Sequence, residues 1–417
     1  MRKQDHIKSL FTALQRAAIT GIVPIIGNSL IAAFLFTACS SDEWQADNDR
    51  VLLSPQIQVG ESTTRSVISG TAANPDGNGN LINQVQLYIT RDEDDHTVYP
   101  GLSESKGLAT FTLGASNDWT SDPKVSLSSD MARIFAFYPP IAAGSVDANF
   151  IASTADEKHK INVSIPADQT FDGTTAWGCS TTDYLYGSSS STKGDAKPIT
   201  ANNGNGDATG PKPFSPEISM QHALSLLVFY LESKSGRDVD NTYDYVKEIR
   251  LSTTDATHTF RISGSADDQC TMFINDGTLA LTTSSLLKFK ATTAATGGTA
   301  TTAQLCGKAG SPALVAYGLV APLTAAPSDL TLTVVLDKKD ETTDMKRELS
   351  LTFGTSGNTP KAWKKGNRYK YNLTLTDRDI AIKSTEITEW SDGWSGSGDD
   401  KGNGSLKPDG FKSVRVE

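Results

Sequence analysis

His222-Ala223-Leu224-Ser225-Leu226-Leu227-Val228-Phe229-Tyr230-Leu231 is apolar on both faces of an extended chain. That is the pattern of one central strand covered on each side. Around it the apolar period is two. Val85-Leu87-Ile89, Ile134-Ala136-Tyr138, Ile161-Val163-Ile165, His258-Phe260-Ile262, Leu330-Leu332-Val334-Leu336 and Tyr369-Tyr371-Leu373-Leu375 place apolar side chains at alternate positions, as half-buried strands require. Turn-forming clusters such as Asn74-Pro75-Asp76-Gly77 and Gly204-Asn205-Gly206-Asp207 separate them. Helical stretches are scarce. The expectation is an all-β chain built of β-sandwiches.

A chain of 417 residues holds two or three domains, each able to bury a core. With 37% hydrophobic and 21% charged residues it reads as globular rather than disordered. The longest polar, Gly-rich gap runs from about Ser188 to Pro213 and places a boundary there, giving domains over 66–213 and 214–395. Residues 396–417 follow as a flexible tail. The net charge is −10, and because residues 1–38 are basic the rest of the chain is more acidic still. Nucleic acid is therefore not an expected partner. The short charged runs 91–95 and 399–401 lie in turn-like sequence and read as solvated loops.

Arg2, Lys3, Lys8 and Arg16 precede an apolar stretch from Ala17 to Ala38, the order of a signal peptide's charged and apolar regions. Pro24 and Gly27-Asn28-Ser29 interrupt it, leaving Leu30 to Phe36 as the clean apolar run, too short to span a bilayer. Phe36-Thr37-Ala38-Cys39 resembles the lipobox of bacterial lipoproteins, with Phe36 where Leu is usual. The resemblance implies a signal peptide over 1–38 and lipidation of Cys39, whose several acyl chains would make a stable anchor. Ser40-Ser41-Asp42-Glu43 resembles the acidic signal that sends Bacteroidota lipoproteins to the outer face of the outer membrane. The competing reading is an ordinary cleaved signal in which Cys39 is incidental. Cys179, Cys270 and Cys306 remain, at spacings that fit neither a metal knuckle nor a C-x-x-C pair. Buried thiols are the preferred reading, one disulfide with a leftover thiol the alternative.

No enzyme constellation emerges. His96, His159, His222 and His258 form no H-E-x-x-H and no pair at helical spacing, so neither a metal nor a cofactor is expected. His222, leading an apolar strand, reads as a satisfied core histidine. Gly204-x-Gly206-x-x-x-Gly210 misses the dinucleotide fingerprint, and Ser395 lacks the second glycine of a nucleophile elbow. Trp363 and Trp390 are expected to pack at strand ends rather than stack on sugars. Tyr184 and Tyr186, followed by a Ser-rich loop, are better candidates than the tryptophans for an exposed patch, with packing still the favoured reading.

Ala136–Pro139, Asp168–Thr170, Asp183–Gly187, Met220–Leu224, Trp363–Tyr371 and Ile387–Trp390, in this order and spacing, resemble the fimbrillin family, the subunits of type V pili in Bacteroidota. Ala136-Phe137-Tyr138-Pro139 is similar to the family's aromatic-Tyr-Pro strand end. Asp168-Gln169-Thr170 and Asp183-Tyr184-Leu185-Tyr186-Gly187 resemble its Asp-Gln and Asp-Leu signatures. Met220-Gln221-His222-Ala223-Leu224 resembles its entry into a core strand, with Met220 where Phe is common. Trp363-Lys364-Lys365-Gly366-Asn367-Arg368-Tyr369-Lys370-Tyr371 and Ile387-Thr388-Glu389-Trp390 resemble its closing strands.

The resemblance implies two tandem transthyretin-like β-sandwich domains after a lipoprotein signal peptide. It also implies assembly: a trypsin-like protease cuts after an Arg, an N-terminal strand leaves, and a neighbouring pilin's strand fills the groove. On this chain, 39–65 becomes a lipidated propeptide and Val51, Leu53, Ile57 and Val59, alternating with polar partners around Pro55, its removable strand. Arg65 in Ser62-Thr63-Thr64-Arg65-Ser66 is the cleavage position. Arg50 precedes the strand, so a cut there would free the anchor without opening a groove. Val414 and Val416 are the candidate donor strand. The expected partners are other pilin subunits, the protease and, through the lipid, the outer membrane. The alternative is a monomeric surface lipoprotein that binds a host protein or glycan.

Overall fold

The computed structural model describes residues 50–59, 82–93, 96–114, 118–152, 159–171, 182–188, 198–204, 214–239, 245–254, 270–280, 286–291, 304–323, 329–337, 347–352, 362–376 and 379–389. The chain divides into two units, Met1–Arg50 and Val51–Glu417, and the description that follows is of the second. Cys39, Arg65, Cys179, Trp390, Ser395, Val414, Val416 and the alternation at 258–262 lie outside the described residues.

The architecture is sandwich-like and predominantly β. An eight-stranded sheet runs in the order Gln56–Val59, Glu217–His222, Leu185–Ser188, Ala132–Tyr138, Gln84–Arg91, Leu108–Leu113, Trp119–Ser121, with Ile199–Ala201 also paired to Ala132–Tyr138. Its inner face follows the sequence period: Val85, Leu87, Ile89, Ile134 and Ala136 are all fully buried in a core with Phe111, Trp119 and Ile218. The alternate positions Tyr88, Phe135 and Phe137 face a second, larger core. Both faces of this sheet are thus covered, which is why its central strands are buried almost without interruption.

The larger core lies among three further sheets. A six-stranded sheet runs Asp168–Phe171, Leu286–Ala291, Tyr245–Ser252, Thr331–Asp337, Arg347–Thr352, with Gln304–Leu305 beside Tyr245–Ser252. A four-stranded sheet runs Ala313–Val320, Ser225–Ser233, Asn367–Leu375, Ile380–Glu389. A second four-stranded sheet runs Leu279–Ala280, Cys270–Phe273, Lys160–Val163, Phe150–Ile151. Ile161, Val163, Leu332, Val334, Tyr369, Tyr371, Leu373 and Leu375, all at alternating positions, fill this core. Cys270 and Cys306 are buried in it as well.

The opening stretch proves to be two strands. Glu217–His222 ends in the eight-stranded sheet, and Ser225–Ser233 begins in a different one, between Ala313–Val320 and Asn367–Leu375. The step at Ala223-Leu224 is pinned from both sides. The Ala223 amide donates to the Tyr184 carbonyl oxygen at 2.9 Å, and the Gly366 amide donates to that of Leu224 at 2.7 Å. An unbroken apolar run cannot reveal such a step, because both strands bury both faces. Pairing also crosses residue 213, since Lys160–Val163 pairs with Cys270–Phe273 and Asp168–Phe171 with Leu286–Ala291.

Candidate assembly site

The segment 51–59 carries most of the site residues expected from the sequence that fall in the described part of the chain. Val51–Leu52 pairs antiparallel with Ser126–Leu127, and the Leu53 amide donates to the Val125 carbonyl oxygen at 3.0 Å. The chain then changes partner. The Ser54 and Gln56 amides donate to the carbonyl oxygens of Phe214 and Pro216 at 3.1 and 2.9 Å. Gln56–Val59 continues parallel to Glu217–His222, with Ile57 opposite Ile218. Because residues 54 and 56 both donate to one side, residue 55 faces the other, and Pro55 has no N–H to leave unsatisfied there.

Among the described residues Gln56–Val59 is the terminal strand of its sheet, bonded to a strand on one side only. Leu53 and Ile57 are 5% and 2% exposed and belong to the smaller core beside Val125, Leu127, Ile218 and Met220. Pro55 is buried between them and Val51 half-buried, so apolar positions at alternate residues lie on the core as the sequence pattern requires.

Next inward, Leu185–Ser188 and Glu217–His222 bring two of the sequence signatures together, with Leu185 opposite His222 and Gly187 opposite Met220. His222 Nδ1 lies 2.7 Å from an Asp183 carboxylate oxygen, a satisfied core histidine. Tyr184 and Tyr186 do not form an exposed patch, being 6% and 0% exposed. The Tyr184 hydroxyl accepts from the Ser164 amide at 2.8 Å, and that of Tyr186 donates to Gln221 Oε1 at 2.9 Å. The Lys365 ammonium sits 4.9 Å from the Tyr186 ring centroid. A Ser-rich loop after a tyrosine says nothing about which way the ring turns, and here hydroxyl partners let the rings turn inward. Burial, with the Asp276 carboxylate adding to it, pushes the Tyr186 hydroxyl well above its ordinary pKa, so it remains a donor.

The closing signature is architectural too. Trp363 is fully buried, and its indole N–H donates to the Tyr371 hydroxyl at 2.9 Å. The Tyr369 hydroxyl accepts from the Lys364 amide at 2.7 Å and donates to the Ala362 carbonyl oxygen at 2.9 Å. These bonds fold the 362–366 turn back onto its own strand. No group of His, Cys, Asp or Glu able to hold a metal occurs among the described residues.

The sequence profile of a family described as fimbrillin-like matches residues 71–390, well over half of the chain. The chain belongs to the fimbrillin-like family. As a fimbrillin-like protein it is structural and non-catalytic. It is similar to a fimbrial protein from Bacteroides vulgatus, at 14% identity over 81% of this chain and 99% of that one, with a TM-score of 0.45. A cell adhesion protein from Bacteroides uniformis, named as putative, gives 13% identity, 83% and 99% coverage and a TM-score of 0.45. The tip fimbrial protein Mfa3 from Porphyromonas gingivalis, with a C-terminal truncation, gives 8%, 77% and 97%, and 0.37. At these scores the likenesses carry no argument. Among curated proteins none matches the sequence significantly.

Within this fimbrillin-like chain, Gln169 holds a role that its residue type alone does not announce. Its side chain is fully buried, donating from Nε2 to the Leu319 carbonyl oxygen at 2.6 Å and accepting at Oε1 from the Leu319 amide at 2.9 Å. A buried amide facing a buried backbone was signalled only by the Asp-Gln signature.

Proposed function

We propose that the chain is a structural or adhesive subunit of a type V pilus, exported as a lipoprotein through Cys39 to the outer membrane and assembled by strand exchange. A trypsin-like protease cuts after Arg65, the segment carrying Val51, Leu53, Ile57 and Val59 leaves, and a neighbouring subunit's strand takes its place. The terminal Val414 and Val416 supply that strand. The domains are two tandem transthyretin-like sandwiches, over 66–213 and 214–395. Cleavage also releases the subunit from its lipid, so the anchor is temporary.

One observation carries the reading: Gln56–Val59 is a terminal strand whose segment puts Leu53, Pro55 and Ile57 on the core. Burial of Leu53 and Ile57 contributes about 1.5–3 kcal/mol each, which an incoming strand of matching pattern would recover. Loss of the segment would leave Glu217–His222 as an open edge beside an apolar groove, a template for strand addition. Family membership supports the surface-subunit role itself.

The test is the state of the chain on cells and after protease treatment. The expected result is a mature N-terminus at Ser66 and SDS-resistant ladders, both lost in Arg65→Ala. An intact chain that remains monomeric and binds a glycan array would overturn the proposal in favour of a monomeric lipoprotein.

A further inference from the structure

After Ala132–Tyr138, the described residues 150–152 and 159–171 lie off the eight-stranded sheet and in the part of the molecule built with later sequence. Phe150 and His159 pack against that sheet: the His159 ring lies 4.5 Å from Tyr88 and 5.4 Å from Phe135, and the Phe150 ring 4.9 Å from Tyr88, between centroids. Lys160–Val163 pairs with Cys270–Phe273 over four residues. Asp168–Phe171 pairs in parallel with Leu286–Ala291. There Gln169 makes its two bonds to Leu319, which lies in Ala313–Val320, a strand of another sheet.

The carboxamide of Gln169 therefore acts as a peptide unit, donating and accepting between two sheets whose strands share no ladder among the described residues and otherwise meet at the bridge of Glu232 to Gly307. Gly318 makes room for it. A β-carbon there would lie 2.5 Å from Gln169 Oε1 and 2.5 Å from the Phe289 ring.

We infer that the described residues Phe150, His159, Lys160–Val163 and Asp168–Phe171 form a clasp, with Gln169 as its lock, that makes the two cores unfold and move as one cooperative body. Its consequence for assembly rests on the proposed strand removal. A sheet that has lost its terminal strand keeps its other face on the clasp, so the opened groove is held in shape until a donor arrives.

Hydrogen exchange of the full chain in rising urea tests the coupling, reading Gln84–Arg91 for the smaller core and Asn367–Leu375 for the larger. Both are expected to lose protection at one urea concentration, and Ile57→Ala, which touches only the smaller core, should lower both together. Protection lost at Gln84–Arg91 alone in Ile57→Ala would overturn the inference. Gln169→Leu should separate the two midpoints; if they stay together, Gln169 is not the lock. Should Gln169→Leu fail to fold, the Ile57→Ala comparison in the unaltered chain decides alone. None of these readings depends on assembly, so absence of SDS-resistant ladders beside intact coupling would remove strand exchange and leave the clasp standing.

Discussion

At Gly187 a β-carbon would lie 2.6 Å from Ala136 Cβ and 2.9 Å from Ile218 Cγ2, closer than packed carbons approach. Gly187→Ala is therefore expected to destabilise by about 1–3 kcal/mol through overpacking, measured by urea denaturation. In an unstrained strand with room for the methyl the same change would stabilise by roughly 0.4–1 kcal/mol, so the sign alone decides. A second residue-scale expectation concerns acid. The Asp329 carboxylate accepts from the Thr253 and Thr254 hydroxyls and from the Thr254 amide at 2.6 Å, which lowers its pKa from an ordinary 3.8 to about 2. A depressed folded pKa contributes stability above the unfolded value and loses it as pH falls towards the folded one. Carbon-detected NMR should find this carboxyl titrating near 2, and Asp329→Asn should narrow the difference in stability between pH 5 and pH 2. Neither role is legible in sequence. A glycine before serines and an aspartate before a strand look like turn residues, and only three-dimensional neighbours show what their size and charge do.

Whole elements were more legible than single residues. Period-two alternation located strands at 84–91, 132–138, 160–163, 331–337 and 367–375, because each has one face that must be apolar. It also foresaw Leu53, Pro55 and Ile57 turning inward. What alternation cannot express is partner choice. Nothing in 222–231 marks the exchange of sheets at Ala223-Leu224, and nothing in Lys160–Val163 marks its pairing with the far later Cys270–Phe273. The terminal strand yields a direct expectation. Ile57 is 2% exposed, so Ile57→Ala should cost about 2–5 kcal/mol in the uncut chain, read from the urea midpoint. Gln56→Ala, exposed on the same strand, should cost well under that, since it leaves the core untouched. Equal losses for the two would mean that the segment is not seated on the core.

For the molecule as a whole, the Gly-rich gap before Pro213 places a domain boundary there, whereas ladders tie Cys270–Phe273 and Leu286–Ala291 to Lys160–Val163 and Asp168–Phe171 on its other side. The difference is physical: composition reports where a chain can be loose, and a core reports which surfaces exclude water together. Tyr88, Phe135 and Phe137 share one apolar cluster with Leu226, Phe289 and Tyr371, so neither sequence half encloses that cluster alone. A fragment ending at His222 would keep the eight-stranded sheet but strip Ile161 and Val163 of Cys270–Phe273 and leave Gln169 without Leu319. It is expected to be soluble only as a compact state without fixed packing, showing far-UV but little near-UV circular dichroism and binding a hydrophobic dye. Adding the complementary fragment from Ala223 should restore the near-UV signal if the two parts assemble as they do in the chain. A fragment with full near-UV signal on its own would mean that the smaller core suffices for its sheet, and that the two sandwiches are independent beads rather than one clasped body.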